Sequence, residues 1–203
     1  MNGVVGVINT PFKEDDRIDE DSIRRYVEHY IDCGVAGFLV PAIAAEVEKL
    51  SFEERRLMVE TVVDQAKSRV PIVGGASAAS REDRLRNARM LNELGCAGVL
   101  VNIPFDNEAD FQKEVQAVAD TNPGYLMIQD WEFQGFGIPV ETIARLYNEI
   151  ELFTHLKVEV APAGVKYTQV LEATGGELNV SGGWASTQMI EGLDRGVDAF
   201  MAT

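Results

Sequence analysis

Positive charge and groups that titrate near neutrality are both scarce in this sequence. Its 203 residues include two histidines, two cysteines and two tryptophans, and 18 basic side chains stand against 33 acidic ones, a net charge of −15. Such a surface repels nucleic acid and anionic membranes, so neither is expected as a partner. His29 and His155 are too few for a multi-histidine metal site, and no metal is expected. Cys33 and Cys96 lack a CxxC partner and read as reduced thiols in a cytoplasmic protein. No apolar run reaches the roughly 18 residues of a membrane span, and Met1-Asn2-Gly3 lacks the basic flank of a signal peptide. Nucleophile-elbow, P-loop, zinc-ligand and EF-hand spacings are all missing. No Pro/Ser-rich linker divides the chain, so a single domain over 1–203 is expected.

What is present is an ordinary globular composition, 46% apolar and 25% charged. Short β-branched runs at 4–9, 35–40, 71–74, 97–102, 125–129, 156–160, 178–181 and 197–201 alternate with amphipathic stretches. Their starts advance by about 28 residues, the length of a strand, a short helix and two turns. Helix starts are marked by Asp19 to Ser22, by Ser51 with Glu54 in capping-box spacing, and by Ser80 with Asp83. Gly34, Gly95 and Gly196 stand where helices should stop. The stretches 33–40, 95–101 and 195–201 echo one another, each a helix end feeding an apolar strand.

Eight βα repeats predict an α/β fold, a (β/α)8 TIM barrel, with an open doubly wound sheet as the alternative. The phosphate loop usual in the open sheet is replaced by Asn9-Thr10-Pro11-Phe12. The sequence ends just after the eighth strand, so the expected barrel is truncated there. It lacks an eighth helix, leaving the outer faces of strands eight and one without cover. The expectation is the N-terminal part of a longer protein, or else a short barrel closed by a partner chain.

Active sites of such barrels lie at the C-terminal strand ends. In the sixth strand, Leu156, Val158 and Val160 suit the helix layer, so Lys157 and Glu159 point into the barrel. Burying both is costly unless they are paired or used, and spacing alone fits either a structural ion pair or a nucleophilic lysine. If Leu126 and Ile128 face the helices, Gln129 and Trp131 face the pocket, where Gln129 is a loop hydrogen-bonder or a site residue. Asn9 and the run Ser181-Gly182-Gly183-Trp184 are further candidates, the double glycine admitting a ligand or making a turn. Glu46, Glu48, Glu53 and Glu54 read as a solvated helix start, and Asp15-Asp16 as an exposed turn.

From Thr10-Pro11-Phe12 in the first strand, through Ser181-Gly182, to the run Gly196 to Met201 in the last, the chain resembles the dihydrodipicolinate synthase / N-acetylneuraminate lyase superfamily of class I aldolases and dehydratases. The resemblance covers essentially the whole sequence. It implies that a lysine ending strand six forms a Schiff base with a 2-keto acid, and aligning Ser181-Gly182 places that lysine at Lys157. The family's Gly-Thr-Thr-Gly-Glu loop reads Ala42-Ile43-Ala44-Ala45-Glu46, so both hydroxyls are gone and the N–H groups of Ile43 and Ala44 are left to bind a carboxylate. The family's strand-five tyrosine falls on Gln129, and its tyrosine pair after strand four falls on Phe105-Asp106. Gln129-Asp130 and Lys157-Val158-Glu159 look more like the 2-keto-3-deoxy sugar acid dehydratase branch.

The resemblance thus implies a Schiff-base lyase acting on a small-molecule 2-keto acid, with Lys157, Glu159 and Gln129 as catalytic residues. Asn9, Ile43, Ala44 and Gly182 would bind substrate. No cofactor is needed, since lysine supplies the electrophile, and the full-length protein is expected as a homo-oligomer. A synthase-like condensation enzyme and a barrel that only binds a small carboxylic acid are the alternatives.

Overall fold

A computed structural model describes residues 1–132 and 134–202. Eight parallel strands close in sequence order: β1 (Gly3–Val7), β2 (Gly37–Val40), β3 (Ile72–Gly75), β4 (Gly98–Val101), β5 (Leu126–Glu132), β6 (Phe153–Val160), β7 (Asn179–Gly182) and β8 (Ala199–Ala202). Closure by β1 against β8, with Gly3 opposite Ala199, excludes the open sheet. Seven α-helices alternate with the strands among the described residues: α1 (Glu20–Asp32), α2 (Phe52–Ala66), α3 (Arg81–Glu93), α4 (Glu108–Ala119), α5 (Val140–Glu149), α6 (Ala163–Ala173) and α7 (Met189–Asp194).

The local signals act as their chemistry requires. Asp19 caps α1 by accepting from the Ser22 amide at 3.2 Å. Ser51 and Glu54 form a reciprocal capping box on α2, a device worth about 1 kcal/mol. Gly34, Gly95 and Gly196 end helices at φ near +80°, where any other residue would be strained.

Strand alternation sorts the apolar side chains into two cores. Outward residues such as Phe38, Val99, Ile128, Leu156 and Val158 pack under the helices. Inward residues Val5, Val7, Leu39, Val73, Leu100, Met127, Ala199 and Met201 fill the barrel. Each full burial of such a side chain contributes about 1.5–3 kcal/mol. Of the outer faces expected to lack cover, β1 exposes Val4 (49%) but buries Gly6 against Tyr30, and β8 is covered. There Phe200 is buried, because Gly182 and Gly192 leave room for its ring.

The strand boundaries shift from those the sequence suggests, and two of the shifts bear on the site. β1 ends at Val7, so Asn9 lies beyond it and is exposed. β5 runs three residues past Gln129, because it pairs with β6 as far as Glu132 opposite Val160.

Candidate active site

The register of β5, β6 and β7 places Gln129, Lys157 and Ser181 at one level of the barrel, with Trp131 and Glu159 one step nearer the C-terminal mouth. Below this polar layer the interior is apolar. The polar side chains here bond one another and nearby backbone. Lys157 Nζ lies 3.1 Å from Glu159 Oε2, with both side chains under a tenth exposed. Gln129 Nε2 donates to the same oxygen. The backbone N–H of Trp184 donates to Glu159 Oε1 at 2.9 Å. One carboxylate thus gathers donors from β5, from β6 and from the turn after β7. That pairing offsets the desolvation that an isolated charge would suffer here.

The turn after β7 is shaped around this carboxylate. Trp184, Ala185 and Ser186 all have positive φ, a conformation costly for residues with a side chain. A Cβ at Gly183 would stand 2.2 Å from Glu159 Oε1, so only glycine lets the turn approach so closely. Gly182 was the sequence candidate, but its Cβ position faces Tyr167 Oη and Phe200 in the helix layer. Close backbone approach to the site therefore belongs to Gly183, one residue on, because alternation turns Gly182 outward. Burial, reinforced by the charge of Glu159, pushes the Tyr167 phenol up to about 12.

Other candidates stand apart from this cluster. Ile43 and Ala44 are exposed in a 3-10 turn, Ile43–Ala45. Their amides open that turn, where N–H groups have no partner within the helix. Thr10 Oγ1 braces the turn by donating to the Ala45 carbonyl at 2.6 Å. A cavity of about 640 Å³ opens beside it, lined by Ile43, Arg55, Ser77, Asn102 and Trp131 among others. A second, of about 420 Å³, lies between the ends of β4 and β5 and includes Gln129 and Trp131. Asn102, which the sequence reading placed only as a strand end, lines both cavities, and its Nδ2 donates to the Gln129 carbonyl at 3.1 Å. Among the described residues no three His, Cys, Asp or Glu side chains gather as metal ligands, and no helix is long and apolar enough to cross a membrane.

Comparison with known proteins agrees with the barrel fold. The model of the dihydrodipicolinate synthetase family matches residues 1–202. A 4-hydroxy-tetrahydrodipicolinate synthase of Oleidesulfovibrio alaskensis is 28% identical over 188 residues, covering 90% of this chain and 63% of that protein. The Thermus thermophilus enzyme of the same name is 31% identical over 162 residues, 77% of this chain and 54% of the relative. The chain thus spans less than two thirds of the length of these relatives. Among solved structures, the synthase of Methylacidiphilum fumariolicum superposes over the whole chain with a TM-score of 0.91 at 20% identity, covering 68% of that structure. A prophage protein of the dihydrodipicolinic acid synthase family from E. coli K12, in complex with pyruvate, superposes over 99% of the chain with a TM-score of 0.88 at 18% identity, covering 69% of that structure. The closed eight-stranded barrel and the family match from end to end establish that this chain belongs to the dihydrodipicolinate synthetase family.

Proposed function

We propose that the protein is a Schiff-base-forming lyase, an aldolase or dehydratase acting on a 2-keto acid of the 2-keto-3-deoxy sugar acid class, with Lys157 as nucleophile. The observation that carries the reading is the buried Lys157–Glu159 contact at the C-terminal end of the barrel. In it, a nucleophile and a group able to move its proton lie within hydrogen-bond reach.

Glu159 takes a proton from the Lys157 ammonium, and the freed amine attacks the keto carbon. The carbinolamine hydroxyl leaves as water with the proton returned by Glu159, giving the protonated imine. That cation draws electrons from C3, so Glu159 can remove a C3 proton to give the enamine, which in dehydration expels the C4 hydroxyl as water as Glu159 returns the proton. In cleavage Glu159 takes the C4 hydroxyl proton instead, and the C3–C4 bond breaks to give the enamine and an aldehyde. Gln129 orients Glu159 by donating its amide N–H to the carboxylate. Asn9 and the backbone N–H groups of Ile43, Ala44 and Gly182 are the remaining binding candidates. Of these, the exposed amides of Ile43 and Ala44, at the mouth, best suit a carboxylate. The reaction needs no cofactor, the substrate is the partner, and the full-length protein is expected to self-associate. The activity for which the relatives are named, a synthase, begins with the same imine under this mechanism and is the second reading.

Borohydride reduction with pyruvate and a panel of 2-keto-3-deoxy sugar acids, followed by peptide mapping, tests the reading. An adduct confined to Lys157 is expected, and product analysis separates cleavage, dehydration and condensation. No adduct with any acid on folded protein would reject the lyase and leave a barrel that binds small acids.

A further inference from the structure

A second lysine–carboxylate pair lies on the other side of the same sheet. Alternation along β5 turns Gln129 inward and Asp130 outward. Asp130 meets Lys166 of α6 at 3.0 Å, and neither side chain is exposed at all. Burial pushes the Asp130 carboxyl up and the Lys166 ammonium down, and each partner opposes the shift of the other. A buried pair of this kind is no more stabilising than well-packed apolar residues of equal volume. Leucine and methionine would fill this apolar layer, so packing alone does not account for the charges.

What apolar residues could not do is bond the backbone. Lys166 Nζ donates to the Phe136 carbonyl at 2.7 Å and to the Ile138 carbonyl. Asp130 Oδ1 accepts from the Ile138 N–H at 2.9 Å. Three backbone groups of the β5–α5 loop therefore end on this pair. Gly137 lies so close, at φ +69°, that a Cβ there would stand 2.1 Å from Asp130 Oδ1. The Phe136 ring covers the ammonium at 4.8 Å. The same loop residues, 135–138, line the cavity of about 420 Å³ that contains Gln129 and Trp131.

We propose that Asp130 and Lys166 are positioning residues that fix the β5–α5 loop as the wall receiving the distal end of the substrate. They thereby set which acid the site accepts. The substrate part of this proposal rests on the keto-acid reading above; the tether itself does not. The pair's hydrogen bonds to the loop all reach backbone on the helix side of β5, so it acts on selection of the acid and not on the imine step.

The test is the double variant Asp130→Asn/Lys166→Met, which removes both charges together and keeps the side-chain volumes. A thermal melt establishes that it is folded. Hydrogen exchange followed by mass spectrometry reads the tether. Peptides covering 134–140 should exchange about tenfold faster than in the wild type, with β1–β4 peptides unchanged. Borohydride trapping reads selection. Pyruvate, which fills only the imine end, should trap on Lys157 within about twofold of the wild-type rate. The half-saturating concentration of a longer 2-keto-3-deoxy acid should rise about tenfold. Equal losses for both acids would make the pair general structural support and overturn the proposal. Unchanged exchange in the loop, or faster loop exchange with unchanged selection, would overturn it as well. If the wild type traps neither acid, the keto-acid reading fails and the specificity role with it, and the exchange result still decides the tether.

Discussion

Replacing Glu159 by glutamine changes a charge and almost no volume, so its effect isolates the electrostatic work of the site. The wild-type carboxylate accepts from Lys157, Gln129 and Trp184. An amide offers one acceptor oxygen to these three donors and adds an NH₂ group that has to face one of them. Breaking a buried ion pair by removing one partner costs about 3–5 kcal/mol. Both side chains retain a little exposure at the mouth, 6% and 9%, so the lower end, about 3 kcal/mol, is expected. In a chain of 203 residues, each kcal/mol moves the melting temperature by about 2–4 °C, giving a fall of about 6–12 °C. The decisive comparison is a double-mutant cycle with Lys157→Met. Once the ammonium is gone, Glu159→Gln no longer strands a buried charge. The double variant should therefore be more stable than the summed single losses predict by about 2 kcal/mol. Urea unfolding followed by circular dichroism at neutral pH measures all four corners. Losses that add to within about 0.5 kcal/mol would refute a charged, coupled pair.

Three further outcomes follow from the packing. Gly183→Ala drives a Cβ into the Glu159 carboxylate, and imine trapping should slow about 10–100-fold while stability falls by only about 1–3 kcal/mol; an unchanged trapping rate would count against Glu159. His155 stacks on Tyr125 at 4.0 Å, and burial, aided by the N-terminal amine, lowers its pKa from 6.5 to about 4. The folded state then binds fewer protons than the unfolded one, so this contribution is whole above pH 6.5 and is lost as pH falls towards about 4. Discounted for partial exposure it amounts to about 2–3 kcal/mol, and His155→Phe should flatten that limb of a urea-midpoint profile. Cys33 is exposed and Cys96 buried, with burial pushing the Cys96 thiol up to about 12. A thiol reagent should label one cysteine in native protein and a second only after unfolding, and equal labelling rates would contradict the α3–β4 packing.

The fold was legible because its signal repeats. Eight strands separated by similar lengths leave few arrangements open, and the three echoing helix-to-strand passages are β2, β4 and β8 with their incoming helices. The inward pair was legible for a local reason. Three apolar residues alternating with Lys157 and Glu159 leave no other way for β6 to face its helices. Gly183 was harder to find, since a double glycine does not say which member needs the space; only the register of β7 against β6 settles that. Asp130 and Lys166 were invisible to pattern. They lie 36 positions apart, and neither a lone acid ending a strand nor a lysine in the first turns of a helix stands out before closure brings them to 3.0 Å.

The two pairs show why burial of a lysine is by itself a poor guide to chemistry in this barrel. Lys166 is the more deeply buried, at 0% exposure against 5% for Lys157, and burial does push its ammonium down. Yet its Nζ is committed to two carbonyls and a carboxylate on the helix side of the sheet, with the Phe136 ring across it. A nucleophile needs a free lone pair and an approach path, and Lys166 has neither. Among the described residues Lys157 Nζ pairs with Glu159, which in the proposed mechanism takes its proton. The difference arises from strand parity alone. Adjacent positions 129 and 130 of β5 face opposite sides of the sheet, and so they separate the group that bonds Glu159 inside the barrel from the group that pairs with Lys166 under the helices.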